Sequence, residues 1–370
     1  MKQFNKMLYL GTLIVAFLFT NFNANAQLDL PRGSQKASVS QTVGISKIYI
    51  SYSRPSVNGR EIWGKLVPYG MNNLGFGTAT ESPWRAGANE NTIIKFTDDV
   101  TVEGKAIPAG KYGLHIVVKE DGGATVIFSK NHTSWGSFFY DPADDVARVD
   151  VQTKAIPHVE QLTYNFIDVT ANSATAVLNW EKKQIPFKVE VNVTDVVLAD
   201  IRNKLQDQPG FNRQTWENAA NFSLNNGGDL NEALGWIDAA IAGQFFSQQN
   251  FNNTQIKAGI LNKMGKQQEA LEMMDAYMPN ATIFETHQYG RNLIANGMND
   301  KAFEVFKMNA EKNKDTWPTD YGLARAYSAL GNYAKALEHL KIAHSRVPDP
   351  GNKAAIEANI AKLEKGQDIN

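Results

Sequence analysis

From about Lys36 to Val191, apolar and polar positions alternate with a period of two. Ile48-Tyr49-Ile50-Ser51-Tyr52 sets the pattern. Similar runs follow at Thr92–Phe96, Tyr112–Val118, Thr125–Phe128, Leu162–Val169, Thr175–Trp180 and Phe187–Val193. They are rich in β-branched and aromatic residues and separated by turn signals, which predicts strands. Asp121-Gly122-Gly123 predicts a hairpin turn between Tyr112–Val118 and Thr125–Phe128, and Pro108-Ala109-Gly110 turns the chain into the first of these. Roughly eight to ten short strands with no long helical pattern among them predict an antiparallel β-sandwich or jelly-roll-like domain over residues 27–193. Periodicity does not specify the strand order.

After Asp195 the period changes to about 3.6. Val196, Val197, Ile201 and Leu205 fall on one helical face, and Pro209-Gly210 ends that helix, so residues 194–210 read as a linker helix. Beyond it a glycine followed five residues later by an alanine recurs four times: Gly228/Ala233, Gly265/Ala270, Gly297/Ala302 and Gly331/Ala336. In the last unit Leu323, Ala324, Tyr327, Gly331, Ala336, Leu340, Ala343 and Pro348 fall into a recurring pattern, and Tyr289, Gly290, Leu293, Gly297, Ala302 and Phe306 repeat it one unit earlier. The first unit starts from Trp216 and carries a one-residue insertion at Asn225 to Gly228. This pattern resembles the tetratricopeptide repeat, whose period is about 34 residues. Residues 211–370 are therefore expected to form an α-helical tetratricopeptide-like array of helical hairpins, with Lys353 to Leu363 as a capping helix. Small residues let paired helices approach closely, and each hairpin leaves an apolar face for the next to cover.

The N-terminus adds an address. Lys2 and Lys6 precede an apolar run, Leu8 to Phe19, and Ala24-Asn25-Ala26 gives a small-x-small cleavage pattern before Gln27. Residues 1–26 read as a signal peptide, since an apolar run of this length falls short of the roughly 20 residues that span a bilayer. The expected product is exported to the periplasm or beyond, soluble after cleavage near Ala26/Gln27, with no transmembrane segment. Removing Lys2 and Lys6 from the 37 basic residues leaves 35 against 38 acidic ones, a net charge of −3. Such balance lacks the electrostatic footprint of a nucleic-acid binder. With no cysteine, disulfides, thiolate metal sites and cysteine nucleophiles are all excluded.

In arrays of this kind the first helix of each hairpin lines a groove. That places Asn252, Gln255, Asn262 and Lys263 there, followed by His287 and Arg291, then Tyr321 and Arg325. Arg291 and Arg325 stand one repeat apart and, with Lys263, would form a basic line suited to a carboxylate or an extended acidic peptide. A protein or peptide partner is the expectation here. The other reading is that these arginines solvate a face or pair with nearby acids.

The strand-rich half holds two unusual polar segments: Tyr52-Ser53-Arg54-Pro55-Ser56 leading to Gly59-Arg60-Glu61-Ile62-Trp63-Gly64, and Trp84-Arg85-Ala86-Gly87-Ala88-Asn89-Glu90-Asn91. Arg54, Arg60, Trp84, Arg85, Asn89 and Glu90 read as candidate ligand-binding residues of a polar pocket for a carboxylate, a glycan or a peptide terminus. Their other reading is a buried network bracing long loops, with Arg85 or Arg54 paired to Glu90. With Ala37-Ser38-Val39-Ser40-Gln41, Val67-Pro68-Tyr69-Gly70, Pro108-Ala109-Gly110-Lys111-Tyr112 and the strand Val177 to Pro186, these segments resemble the bacterial domain of unknown function 2911 family over residues 30–192. The resemblance implies an exported protein, sometimes with appended tetratricopeptide repeats, and brings no activity. Met71 to Pro83 is an insertion relative to that pattern.

No Gly-x-Ser-x-Gly, His-Glu-x-x-His or phosphate loop is present. Neither a cofactor nor a metal is expected; His339 and His344, five apart on a repeat helix, do not stack for one. The leading expectation is a non-enzymatic binding or assembly protein of the cell envelope. One alternative is an envelope enzyme acting on a glycan or peptide, with Glu90 and His115 as its catalytic pair beside Arg54, Arg60 and Arg85. Another is a carbohydrate-binding module that stacks sugars on Trp63, Trp84 and Trp135.

Overall fold

The computed structural model describes residues 30–370, and the signal peptide read at residues 1–26 lies outside them. The chain divides into two units between Val193 and Thr194.

Alternation builds the first unit. Its strands among the described residues are β1 (Gln35–Val43), β2 (Ser46–Arg54), β3 (Thr92–Phe96), β4 (Val100–Val102), β5 (Lys105–Ile107), β6 (Gly110–Val118), β7 (Gly123–Ser129), β8 (Asp145–Gln152), β9 (Lys154–Ile167) and β10 (Ser173–Glu190). They pair antiparallel into a six-stranded sheet, β1-β2-β3-β6-β7-β8, and a four-stranded sheet, β5-β4-β10-β9. Every second residue of β2 and β3 points inward: Ile48, Ile50 and Tyr52, then Ile94 and Phe96. The sheets meet face to face, with Phe128 of β7 edge-on to Phe187 of β10 at 6.0 Å and Tyr52 of β2 edge-on to Tyr164 of β9 at 4.8 Å. The unit is a β-sandwich.

Two expectations need correcting. Thr175–Trp180 and Phe187–Val193 are not separate strands: both runs fall on β10, and Val191 to Val193 leave the sheet. Between the runs Glu181-Lys182-Lys183-Gln184 offers no turn residue. The chain instead absorbs the irregularity as register shifts on both sides of Glu181, itself at φ 53°. β9 starts eight residues before Leu162, because its first half is an edge whose side chains are mostly exposed and show no alternation.

The second unit is helical. A first helix, α1 (Val193–Leu205), begins at the division. Four hairpins follow: α2 (Arg213–Asn226) with α3 (Leu230–Ile241), α4 (Phe251–Lys263) with α5 (Gln267–Tyr277), α6 (Ile283–Ala295) with α7 (Asn299–Lys312), and α8 (Trp317–Ala329) with α9 (Tyr333–Arg346). A last helix, α10 (Pro350–Glu364), covers α9. Gly265, Gly297 and Gly331 turn the chain with φ of 79°, 74° and 76°, the left-handed conformation glycine adopts without cost. In the first hairpin Gly227, at 81°, takes this role instead of Gly228, which is where the inserted residue is accommodated. Ala233, Ala270, Ala302 and Ala336 are all buried where their hairpins close.

The apolar clusters pass from hairpin to hairpin. Ile256 and Ile260 of α4 complete the core of α2 and α3, while Ala326 of α8 closes that of α4 to α7. A capping box between Thr282 and Glu285 fixes the start of α6, the helix that carries His287 and Arg291.

Phe306 of α7 is the wedge at the centre of the array. Its fully buried ring meets both Gly290 of α6 and Gly322 of α8, where an added Cβ would come within 2.5 Å and 2.4 Å of ring carbons. Gly290→Ala should therefore destabilise the helical unit by about 1–3 kcal/mol, although alanine is the better helix former by about 1 kcal/mol. Denaturant unfolding followed by far-UV circular dichroism measures this, and Phe306→Leu in the same chain should restore part of the loss. An unchanged midpoint for Gly290→Ala would show that the ring yields.

Candidate functional site

Between β2 and β3 the chain runs 37 residues without a regular strand, residues 55–91, and this connection builds a cleft of about 500 Å³. Its second half is anchored by backbone pairing of Trp84 with Ile116 of β6, at 2.9 and 2.8 Å. The buried Ala86 carbonyl accepts hydrogen bonds from the Tyr164 hydroxyl (2.9 Å) and the Thr92 hydroxyl (3.1 Å). Ala86 and Asn89 are held left-handed at φ 50° and 60°, a strain the surrounding bonds enforce. Asn89 donates its side-chain amide to the Ser34 carbonyl.

Arg60, Trp84, Arg85 and Asn89 all line this cleft, joined by Lys65. Arg54 and Glu90 are used elsewhere. Arg54 donates to the Leu162 carbonyl (3.0 Å) and the Thr163 hydroxyl (2.7 Å), tying β2 to β9 across the sandwich. Glu90 forms an ion pair with Arg32, and Arg32 also lies over the Trp135 ring at 5.6 Å. Burial alone would raise the Glu90 pKa, but the Arg32 hydrogen bond and charge hold it below the usual range. Neither Arg85 nor Arg54 pairs with Glu90, correcting that expectation.

The Arg85 guanidinium is clamped. One terminal nitrogen, Nη1, donates to the Asn89 carbonyl at 2.8 Å, and the group lies over the Phe138 ring at 5.2 Å. Gly136, at φ 70°, passes so close that any Cβ there would overlap the guanidinium. Burial lowers the pKa of Arg85, and no carboxylate among the described residues pairs with it. The insertion forms part of the cleft wall: Asn72 and Ser82 pair through both backbone bonds, and Asn72, Leu74, Ser82 and Pro83 face the hollow.

His115 lies beneath, fully interior, sharing a 3.0 Å hydrogen bond between Nδ1 and the Ser137 hydroxyl. Burial first, and the Arg85 charge second, lower its pKa to about 4. No hydrogen bond joins His115 to Glu90, whose partner is Arg32. The tryptophans do not make a flat platform either. Trp63 and Trp84 meet at 85°, and the ring that stacks on Trp84 is the buried Trp180.

In the helical unit the groove residues separate. Asn252 donates to Glu217, a buried carboxylate that also accepts from Asn250 and Asn253 and forms an ion pair with Arg213. Lys263 donates its ammonium to the Leu224 carbonyl in the last turn of α2. Tyr321 is buried, its hydroxyl receiving Arg325 and Asn359. These three brace the array. Gln255 and Asn262 line a hollow of about 230 Å³, while His287, Arg291 and Arg325 line a larger one of about 550 Å³. Asn292 and Ala295 of α6 belong to both.

Arg325 stacks on the Tyr321 ring at 4.6 Å and reaches the Ile369 carbonyl, and burial lowers its pKa. Arg291 is exposed and makes no hydrogen bond or ion pair among the described residues. His287 donates Nδ1–H to the Pro318 carbonyl at 3.1 Å. Its pKa is lowered to about 4, first by burial and then by the Arg325 charge.

Residues 34–189 match the family model described as Protein of unknown function (DUF2911). The match covers less than half of the chain and is a similarity of the β-sandwich region alone. The helical region is similar to YrrB, described as a TPR protein with an unusual peptide-binding site, at 20% identity and a TM-score of 0.29, covering 45% of this chain and 84% of that one. It is also similar to a tetratricopeptide repeat protein from Parabacteroides merdae ATCC 43184, at 16% identity and a TM-score of 0.33, covering 47% and 68%. A third is a thermophilic TPR protein in Thermus thermophilus, at 17% identity and a TM-score of 0.31, covering 47% and 91%. No curated protein matches.

Within residues 34–189, sequence reasoning missed Ser137, which lines the cleft, and Gly136 and Phe138, which confine Arg85. The connection between β7 and β8 that carries them has no period to read. Trp135-Gly136-Ser137-Phe138, an aromatic-glycine cluster between two strands, was the available signal.

The two histidines give a pH prediction. Unfolded, each imidazole protonates near pH 6.5; folded, each stays neutral down to about pH 4. Between these values the unfolded chain binds more protons, so stability falls as pH drops through the window and levels off below it. The expected loss reaches about 3 kcal/mol for each histidine. Imidazole NMR should show both rings neutral at pH 5.5, and His115→Gln should flatten the acid limb of the first unit. A ring titrating near 6.5 would contradict the burial that carries this.

Proposed function

We propose that this chain is an exported binding protein of the cell envelope, with its helical repeats holding an extended acidic peptide segment of a protein partner and its β-sandwich holding a second, anionic ligand. The observation that carries the first half is Arg291. It stands unpaired among the described residues in a hollow of about 550 Å³ that it shares with Arg325 and with Phe284, an apolar ring left 60% exposed. Among the described residues no acidic side chain lines that hollow. Two cations in a lining without acidic side chains, next to an exposed aromatic, suit a segment that alternates carboxylates with an apolar side chain. Tetratricopeptide-like repeats favour protein–protein interaction in general, and the signal peptide read at residues 1–26 supports the envelope address.

Lys263 is not part of this surface, so the cationic line is shorter than the sequence suggested and centres on α6 and α8. An enzymatic reading has less support. Its acid–base pair, Glu90 and His115, is divided between Arg32 and Ser137, and His115 is interior. The carbohydrate reading lacks coplanar tryptophans among Trp63, Trp84 and Trp135.

A fluorescein-labelled ten-residue peptide of Asp and Glu with a central Phe tests the groove by fluorescence polarisation. Arg291→Glu should weaken its binding at least tenfold, about 1.4 kcal/mol, and raising salt from 50 to 500 mM should weaken the wild type as well. Because Arg291 has no internal partner to lose, the variant should keep the wild-type melting temperature. Equal affinity in the two proteins, or equal binding of a Lys-for-Asp/Glu control peptide, would remove the acidic-groove reading.

A further inference from the structure

We propose that the β-sandwich cleft is a receptor for a small organic acid whose carboxylate docks on Arg85. This rests on reading that cleft as a ligand site and adds the ligand class, the anchoring residue and the means by which the anchor is held.

Arg85, like Arg325 in the helical unit, differs from the other half-buried guanidinium groups. Arg148 and Arg346 meet carboxylates directly, at 2.6 Å in each case, and Arg213 meets the buried Glu217. Arg54 spends its donors on the Leu162 carbonyl and the Thr163 hydroxyl. Arg85 has one hydrogen bond, to a neutral backbone carbonyl, and an aromatic face. A cation partly removed from water without a counter-charge costs free energy, and such arrangements concentrate where a ligand supplies the missing charge. The other charged side chains lining the cleft have the same sign: Arg60 and Lys65, both exposed, and among the described residues no Asp or Glu.

The guanidinium is also preorganised. Gly136 and Phe138 confine it, the Asn89 carbonyl sets its rotation, and the Ala86 carbonyl, held by Tyr164 and Thr92, fixes the loop that carries it. An anchor already ordered before binding loses little entropy when the ligand arrives. The Met71–Pro83 insertion packs onto the same support. Gly77 passes so close to the Phe138 carbonyl that no Cβ fits between them, and Phe76 sits edge-on to the Phe138 ring at 5.6 Å. One aromatic residue thus braces both the anchor and the insertion that walls the cleft.

The chemistry of the walls selects the ligand. A planar guanidinium fork matches a carboxylate. No helix contributes to the lining, so the helix N-terminus that commonly cradles phosphate is missing. Leu66, Pro68, Leu74 and Trp84 offer apolar surface for a carbon skeleton, and about 500 Å³ falls in the range of small-molecule sites. Arg60 and Lys65 favour a second negative charge at the outer end. A dicarboxylate fits better than a simple fatty acid or a neutral sugar.

Intrinsic tryptophan fluorescence tests this, because Trp84 and Trp180 line the cleft. The full chain is titrated with acetate, succinate, adipate, citrate, inorganic phosphate and glucose. A saturable change with at least one di- or tricarboxylate below 10 mM, and none with glucose, is the expected result. Arg85→Gln should weaken that binding at least tenfold and Arg85→Lys less, while Arg291→Glu should leave it unchanged, which keeps the cleft and the groove separately testable. A second readout needs no variant: the bound carboxylate should offset the Arg85 charge and raise the pKa of His115, visible in its imidazole resonances. Absence of saturable binding by every carboxylate, binding of phosphate in their place, or binding that leaves both Arg85→Gln affinity and the His115 resonance unchanged would each overturn the proposal.

Discussion

A connection of 37 residues can hold side chains in place only if its backbone is fixed, and in the β-sandwich that task falls on one buried carbonyl. The Ala86 oxygen receives the hydroxyls of Tyr164 and Thr92, one from the opposite sheet and one from the start of β3. Tyr52 extends the chain of bonds, since its hydroxyl accepts the Tyr164 backbone N–H at 3.1 Å while the two rings pack edge to face. Leaving that carbonyl unmet in the interior would cost about 1–3 kcal/mol. Satisfied twice, it holds Ala86 in a left-handed conformation that a non-glycine residue seldom takes. The direction of Arg85, the closeness of Gly87 to Thr92 and the placement of Asn89 all follow from that bend. The polar segment between Trp84 and Asn91 is thus supported by the sandwich core instead of hanging from it.

The helical unit solves the same problem by sterics. Where the sandwich uses hydrogen bonds to immobilise a loop, the array uses absent side chains to bring helices together. Phe306 fits only because Gly290 and Gly322 leave room on both sides of its ring. That close fit draws α6 and α8 together on the side where His287, Arg291 and Arg325 stand. The polar residues that brace the array do so through backbone and buried acid: Lys263 on the Leu224 carbonyl, Asn252 on Glu217. A groove helix therefore presents both bracing and free polar residues, and only the contacts made by the neighbouring hairpin separate them.

That distinction marks where sequence stops being informative. Period-two alternation located β3 to the residue, and the glycine-alanine recurrence placed every hairpin, because both signals express a local geometry repeated along the chain. Neighbours close in sequence were also readable, as with Trp84, Arg85 and Asn89 in one cleft. Partners were not. Arg54 meets Leu162 and Thr163 across more than a hundred residues, Glu90 meets Arg32 across 58, and Lys263 meets Leu224 across 39. No spacing rule encodes such distances, because they depend on how sheets and hairpins stack. Gly136 to Phe138 escaped for the complementary reason that an aperiodic connection carries no pattern to extrapolate. Two runs were read as two strands in β10 because a bulge and a turn both interrupt alternation, and only the lack of a turn residue at Glu181 to Gln184 separates them.

The two hollows, built on unrelated folds, converge on one electrostatic arrangement. In each, a guanidinium is partly desolvated, lies over an aromatic ring (Arg85 on Phe138, Arg325 on Tyr321) and has a neighbouring interior histidine. The aromatic face and a backbone carbonyl stabilise each cation without cancelling its charge. Each histidine registers that surplus. Burial is the larger cause of its lowered pKa, and the arginine adds to it in the same direction because a nearby positive charge disfavours the imidazolium. A paired arginine would present a nearly neutral dipole and weaken that second contribution. Burial thus sets most of the histidine shift, and the arginine charge, which no acidic side chain in either lining among the described residues offsets, adds the remainder in a chain whose overall charge is only −1.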